Sequence, residues 1–277
     1  MVMRYALAVA AIAVAGASVA ETPAERGEYL VQGPMGCGNC HTPKGPDGPI
    51  PGMDLAGFLV IDDQGIKAYA KNITPGGEVA GWSDAELARA IREGIRPDGS
   101  LIGPPMPFSF YKDISDSDLA AIVAYLRTVP AVENTVPDSV YGFPLPPAYG
   151  PPIKSVPDVP RGETVEYGHY LVSLAHCLEC HTPMGPQGPA LDTDLGRGGF
   201  VFRGPWGEVT APNITSSEDG IADLTDDQLK TIITKGIAPD GSKMSPPMPY
   251  PYLARMTPED LNAVILYIRT LPPLPDK

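Results

Sequence analysis

The stretches Cys37-Gly-Asn-Cys40-His41 and Cys177-Leu-Glu-Cys180-His181 contain all four cysteines of this 277-residue chain. In each stretch the two sulfurs are three positions apart, which on a helix is nearly one full turn. Both sulfurs therefore face the same side, with a histidine directly after them. This arrangement indicates that each stretch holds one group through three side chains.

The Cys-x-x-Cys-His spacing is the attachment signature of c-type haem, in which each cysteine forms a thioether with a vinyl group. A structural zinc site is one alternative, but it needs further Cys or His ligands, and only His169 and His176 remain. A thioredoxin-like redox pair would need a βαβ context, which the pattern does not offer. The sequence therefore predicts two covalently bound haem c groups, with His41 and His181 as iron ligands.

Both halves of the chain share short motifs at a nearly constant separation. Pro-Asp-Gly-Ser at 97–100 recurs at 239–242, and Pro-Pro-Met-Pro at 104–107 recurs at 246–249, so both motifs are displaced by the same interval. The interval between the two haem motifs is almost the same. Two copies are too few for a solenoid, so the pattern predicts tandem domains. The predicted divisions are a first domain at 21–135, a Pro-rich linker at 136–160 and a second domain at 161–277.

Helix signals agree between the two units. Ser83 with Glu86, and Thr225 with Gln228, form capping boxes ahead of apolar residues at helical spacing. A closing helix is predicted after Ser115 and again from Thr257. Strand signals are weak. The predicted fold class is therefore all-α, with long irregular connections organised by a ligand.

The sixth iron ligands are predicted to be Met106 and Met248, one in each Pro-Pro-Met-Pro segment. The flanking prolines exclude helix and keep the segment extended, so that a thioether sulfur can project across a haem face. Met244 is a rival, but its repeat counterpart is Ile102, which cannot ligate iron. A His/Met pair leaves no open coordination position and raises the potential. Both haems are therefore predicted to carry electrons, and the chain is predicted not to be an enzyme.

Residues 1–20 have the features of a secretory signal peptide. Arg4 supplies the positive charge, residues 5–14 are apolar, and Ser18-Val19-Ala20 ends in small residues. An uncleaved membrane anchor is the alternative, but the stretch is shorter than the roughly 20 residues that a spanning helix needs. Cleavage after Ala20 is predicted, which leaves a periplasmic protein with no transmembrane anchor.

Cleavage would leave 33 acidic and 19 basic residues, a net charge of −14. Such a charge argues against binding to nucleic acid or to anionic membrane surfaces. It would suit a redox partner with a basic docking patch, although it could equally serve solubility alone.

The predicted linker contains eight prolines, which stiffen a chain toward polyproline II. It also contains Tyr141, Phe143 and Tyr149, which are unusual in a free tether. We therefore expect the linker to pack along the domains and fix their orientation, with a flexible tether as the alternative.

These residues together closely resemble the class I cytochrome c fold, present twice. In that family the first and last helices cross at a glycine against an aromatic residue, and Gly27 with Tyr125, and Gly168 with Tyr267, match those positions. The Asn-Ile-Thr segment, the Pro-Asp-Gly-Ser turn and the Pro-Met-Pro loop more specifically resemble the multi-haem cytochrome subunits of bacterial alcohol and related dehydrogenases. Those subunits commonly carry three haems and a C-terminal anchor. This chain has two haem motifs and no such anchor, which argues against a permanent dehydrogenase complex.

The resemblance also assigns further residues to the cofactor. Trp82 resembles a family tryptophan that donates to a haem propionate, whereas Leu224 stands at the matching position of the second unit. Trp206 could substitute for it. Asn72 and Asn213 begin the repeated Asn-Ile-Thr segments and are predicted to bind the cofactor with the four cysteines. The Trp82 difference predicts that the two haems differ in potential.

The predicted function is periplasmic electron transfer between a dehydrogenase donor and an oxidase or other cytochrome acceptor. A dihaem peroxidase is an alternative, but it needs one haem with an available distal position. A thiosulfate-oxidising cytochrome uses a distal ligand such as Cys, and this chain has no spare cysteine. A binding module without redox turnover is disfavoured by two complete haem sites.

Overall fold

The computed structural model describes residues 20–63, 65–185, 188–204 and 206–276. The predicted signal peptide lies outside the described residues, apart from Ala20. Each half of the repeat folds on the same plan, in which a first helix and a last helix cross and a short helix carries the haem motif.

The described residues of the first unit form five α-helices and a short 3₁₀-helix at Glu78–Gly81. The α-helices are α1 (Pro23–Gln32), α2 (Cys37–His41), α3 (Asp84–Glu93), α4 (Phe108–Tyr111) and α5 (Asp116–Leu126). The predicted capping box at α3 is confirmed, since Ser83 accepts from the Glu86 backbone and the Glu86 side chain accepts from the Ser83 backbone. Gly94, in the left-handed conformation at φ 69°, ends the helix.

The second unit repeats this series. Its helices are α6 (Val165–Leu174), α7 (Cys177–Cys180), α8 (Asp226–Lys235), α9 (Tyr250–Leu253) and α10 (Pro258–Ile268). The predicted box of Thr225 with Gln228 caps α8, and Thr257 caps α10 with Pro258 at its first position.

The prediction of an all-α fold is wrong. Helices make up only 33% of the chain and strands 13%, in several small antiparallel sheets. The strands are β1 (Lys44–Gly45), β2 (Gly48–Pro49), β3 (Phe58–Asp63), β4 (Ile66–Ala70), β5 (Val140–Tyr141), β6 (Met184–Gly185), β7 (Gly188–Pro189), β8 (Val201–Gly204) and β9 (Gly207–Thr210).

The longest sheet shows why strands form here. Gly65 has φ of 79°, which permits a tight reversal between β3 and β4. The flanking residues are rich in β-branched and aromatic types, which favour extended backbone. Both strands are short and only half-buried, so their pattern is faint in the sequence.

The helix crossing takes place at the glycines that the family resemblance indicates. A Cβ atom on Gly27 would lie 2.0 Å from the Ala121 carbonyl oxygen of α5 and 2.7 Å from Tyr125 Cβ. A Cβ on Gly168 would lie 1.9 Å from the Ala263 carbonyl oxygen of α10. In both units the helices touch backbone to backbone, so no larger residue fits.

The linker packs on the first unit. Its strand β5 joins the edge of β4, and the Tyr141 hydroxyl donates to the Pro104 carbonyl at 2.9 Å. The Tyr149 hydroxyl donates to the Ile102 carbonyl at 2.8 Å, and its ring stacks on Phe108 at 4.9 Å between centroids. These contacts agree with a packed linker rather than a free tether.

Buried apolar side chains of both units form one continuous cluster. Among the described residues, no helix combines the length and apolar character needed to cross a membrane.

Candidate haem-attachment sites

Each haem motif begins at a residue in the left-handed conformation. Gly36 precedes α2 with φ of 54°, and His176 precedes α7 with φ of 39°. The chain thereby turns sharply out of the first helix and starts a short new one. Within that helix the two cysteines stand one turn apart, as the spacing predicts.

The histidine of each motif is held in one orientation by a backbone carbonyl. His41 Nδ1 lies 2.7 Å from the Lys71 carbonyl oxygen, and His181 Nδ1 lies 2.8 Å from that of Pro212. Because a carbonyl only accepts, Nδ1 must carry the proton. Burial lowers the pKa of both histidines, which favours the neutral ring. Nε2 is then left with a free lone pair, as a metal-ligating histidine requires.

The asparagines next to those carbonyls fix the segment that presents them. Asn72 donates to the Val132 carbonyl at 2.7 Å and accepts from the Thr74 backbone at 3.0 Å. The Asn213 side-chain amide likewise donates to the Leu274 carbonyl at 2.7 Å. Both side chains are buried and bonded to protein groups. Their predicted contribution to cofactor binding would therefore act through the histidines.

The four cysteines form no disulfide. Burial raises the pKa of the Cys37, Cys177 and Cys180 thiols to about 12, so these thiols are neutral at ordinary pH. Within the described ranges, no group of three or more His, Cys, Asp or Glu side chains is gathered to hold a metal ion.

The two methionine loops have the same local structure. Met106 and Met248 are partly buried against the core, and each accepts a backbone hydrogen bond at 3.0 Å from the residue two positions later. Ile102 and Met244 also match each other. The Ile102 backbone N–H donates to the Gly94 carbonyl, and the Met244 backbone N–H donates to the Gly236 carbonyl, both at 2.8 Å. Met244 is thus the structural counterpart of Ile102, as the repeat predicts.

Trp82 and Leu224 also occupy matching places. Both pack against the core, and their carbonyls accept from the Arg127 and Arg269 guanidiniums at 2.6 and 2.7 Å. Trp206 lies elsewhere, in the turn between β8 and β9, with 41% of its surface exposed. The structure therefore gives it a position unlike that of Trp82.

Sequence reasoning missed the side chains that reach each haem motif from the other unit. A Cβ on Gly38 would lie 2.5 Å from the Tyr252 hydroxyl, so a larger residue would require that ring to shift. The Tyr111 ring meets His176 edge to face, with 6.2 Å between centroids. The one sequence signal was the Gly-x-Gly pattern around Cys37, which differs from His-x-Leu around Cys177.

The residues fit a covalent haem. Each unit offers two thiols one turn apart, a neutral imidazole with a free Nε2 and a thioether in a repeated loop. In the second unit Arg197 Nε is buried without a hydrogen-bond partner in the described part of the chain. A buried N–H donor without a partner favours the binding of an anionic group such as a carboxylate.

Comparison with known proteins agrees with this fit. A protein-family model described as cytochrome c matches residues 24–130 and again residues 165–272. The chain therefore belongs to the cytochrome c family, with one domain in each half. It is an electron carrier with two tandem class I domains, and the family implies covalently bound haem c with its iron.

Individual relatives of the chain have names that describe more specific kinds of cytochrome. It is 28% identical to a fructose dehydrogenase cytochrome subunit of Gluconobacter japonicus, over 89% of this chain and 52% of the relative. It is 29% identical to an alcohol dehydrogenase (quinone) cytochrome c subunit of Gluconobacter oxydans, over 91% and 55%. A dihaem cytochrome c-type protein of Cereibacter sphaeroides is 28% identical, over 90% and 86%. The chain spans about half the length of the two dehydrogenase subunits.

Proposed function

We propose that this dihaem cytochrome transfers electrons in the periplasm between a dehydrogenase and an acceptor such as an oxidase or another cytochrome. In each domain the cysteines of the motif would hold one haem, and its iron would be ligated by His41 and Met106 in the first domain and by His181 and Met248 in the second. The observation that carries the proposal is the repeated histidine-to-carbonyl bond, which leaves Nε2 free in both domains.

The bound haem supplies one-electron chemistry. The protein residues determine how that chemistry is used. The Lys71 and Pro212 carbonyls keep each imidazole ring in a single orientation. Met106 or Met248 as the second iron ligand would close the coordination shell and raise the potential relative to a stronger donor. Each methionine loop packs against the apolar core, which would surround the haem with a low-dielectric environment that suits electron transfer.

The dehydrogenase partner is supported by the relatives, whose names describe them as cytochrome subunits of fructose, alcohol and gluconate dehydrogenases. A net charge of −14 after signal cleavage suits a donor or acceptor with a basic patch. Export to the periplasm is supported by the signal-like pattern of residues 1–20.

Separate Met106→Ala and Met248→Ala variants test the ligands. Each variant should keep both haems attached, because its cysteines are intact. Each should also lose the methionine-to-iron band of one haem in the far red and show a lower potential for that haem. Met244→Ala is the matched control, since Met244 corresponds to Ile102 and should leave both bands in place.

A Met106→Ala or Met248→Ala variant that retains both methionine bands would disprove the ligand assignment for its domain. Carbon monoxide binding by the reduced wild-type protein would also count against closed haem sites and would favour a peroxidase-like enzyme.

A further inference from the structure

Two tyrosines tie the domains together by a reciprocal contact. The Tyr29 hydroxyl on α1 donates to the Asp260 carboxylate on α10, and the Tyr170 hydroxyl on α6 donates to the Asp118 carboxylate on α5 at 2.7 Å. The two tyrosines occupy equivalent positions of the repeat, and so do the two aspartates. Each domain therefore contributes one tyrosine and one aspartate to the same pair of contacts.

Each hydroxyl also accepts a hydrogen bond at the start of the opposite domain's last helix. The Ser115 backbone N–H lies 3.2 Å from the Tyr170 hydroxyl, and the Thr257 backbone N–H lies 3.3 Å from that of Tyr29. Burial is the largest cause that raises the pKa of both tyrosines well above 10, so they remain protonated donors. The hydroxyl oxygen thus uses both its donor and its acceptor capacity across the domain boundary.

The two aspartates differ in the additional hydrogen bonds that they receive. Asp118 also receives two bonds of 2.8 Å from Arg26 of its own domain, and Arg26 reaches the Tyr167 hydroxyl of the second domain at 3.4 Å. Tyr167 occupies the repeat position of Arg26, so Asp260 has no matching guanidinium at that position. Asp118 and Asp260 are 6% and 9% exposed, and buried carboxylates of this kind need their hydrogen bonds.

The contacts lie beside the two haem-attachment helices. Tyr252 of the second domain rests on Gly38 of α2, and Tyr111 of the first domain meets His176 at the start of α7. The attachment region of each domain therefore packs against a tyrosine of the other domain.

We infer that Tyr29 and Tyr170 are positioning residues that fix the two haem sites for direct electron exchange within the chain. This inference rests on the proposed function, since it requires both haems. One electron leaves the ferrous iron of one domain and reduces the ferric iron of the other, with no proton taken or released by either tyrosine. Because such transfer weakens steeply with distance, the rate depends on how firmly the domains are docked.

The test uses the holoprotein and the variants Tyr29→Phe, Tyr170→Phe and the double variant. Two haems held in a fixed relation give a paired signal in the Soret circular dichroism, which reports their mutual geometry. Each lost hydroxyl-to-carboxylate bond should raise the undocked fraction about tenfold, and the loss of both about a hundredfold. In a urea titration the Soret pair of the double variant should collapse before the helical signal, whereas both should be lost together in the wild type.

Tyr149→Phe is the matched control, because it removes a hydroxyl bond between the linker and the first domain and none between the two haem domains. It should leave the Soret pair unchanged. If the double variant does not accumulate with both haems, the single variants carry the test, and each should give a partial, earlier collapse. Unchanged Soret pairs in all variants, with both methionine bands present, would overturn the positioning role. Missing haems or missing methionine bands in the wild type would instead overturn the proposed function.

Discussion

Replacing Gly27 by alanine should separate the first and last helices of the first domain. The added Cβ would lie 2.0 Å from the Ala121 carbonyl oxygen and 2.7 Å from Tyr125 Cβ. Ordinary van der Waals contact begins at 3.4 Å, so the two helices would have to move apart before the methyl group could fit. The obstacle is backbone, which cannot rotate away as a flexible side chain could.

Two opposing effects set the size of the loss. Alanine is a better helix former than glycine by about 0.5–1 kcal/mol, which would stabilise the variant. Overpacking usually costs about 1–3 kcal/mol, and a clash with backbone belongs at the upper end of that range. The expected net destabilisation is therefore about 2 kcal/mol. Urea unfolding of the holoprotein, followed by far-ultraviolet circular dichroism, measures this free energy.

Gly81→Ala is the control, because nothing lies within 4 Å of a Cβ at that position and its φ is not left-handed. It should be neutral or slightly stabilising. Gly168→Ala should resemble Gly27→Ala, since its Cβ would lie 1.9 Å from the Ala263 carbonyl oxygen. A Gly27→Ala protein as stable as Gly81→Ala would refute the close helix crossing.

Three further substitutions test other parts of the structure. Asn72→Ala should lower the unfolding free energy by roughly 1–3 kcal/mol, because the buried Thr74 N–H loses its acceptor and the Val132 carbonyl loses one of its donors, and an unchanged urea midpoint would contradict this. Asp116 accepts from Ser155 of the linker, and this bond, with a smaller effect of Arg92, lowers the pKa of Asp116 below 3.8. The ionised Asp116 therefore stabilises the fold above that pH, and this stabilisation is lost as the pH falls through the lowered pKa. The difference in unfolding free energy between wild type and Asp116→Asn should accordingly disappear in acid. A difference that stays constant with pH would refute this prediction. Trp82→Leu should bring the two haem potentials closer together in a redox titration, and two unchanged midpoints would contradict the Trp82 assignment.

Much of the helical framework could be predicted from the sequence. The capping boxes at Ser83 and Thr225 depend on residues three positions apart, so a local pattern is sufficient to locate them. The hairpin of β3 and β4 was missed because its strands are short, half-buried and bulged between Leu59 and Ile61. The strand β5 depends on a partner far away along the chain, which no local pattern reveals.

The candidate site likewise has one part that the sequence predicts and another part that it does not reveal. The cysteines, histidines and methionines occur in compact repeated motifs, and the structure gives each motif the same local geometry in both domains. The carbonyls that orient His41 and His181 lie well beyond the haem motifs and could not be inferred, because any backbone position could provide one. The bond from Tyr29 to Asp260 joins residues 231 positions apart, so only the folded chain brings them together.

The reciprocal tyrosine contacts give the domain boundary the form of an isologous interface, the kind found between identical subunits related by a twofold axis. The tyrosine-to-aspartate bond is present twice, once in each direction. A substitution in one domain therefore removes only half of the interface, and the remaining half stays intact on the other side. Divergence between the halves, as in the Arg26 and Tyr167 pair, can accumulate without separating them. The tandem chain thus has the tolerance of a symmetric dimer while keeping its two domains covalently joined.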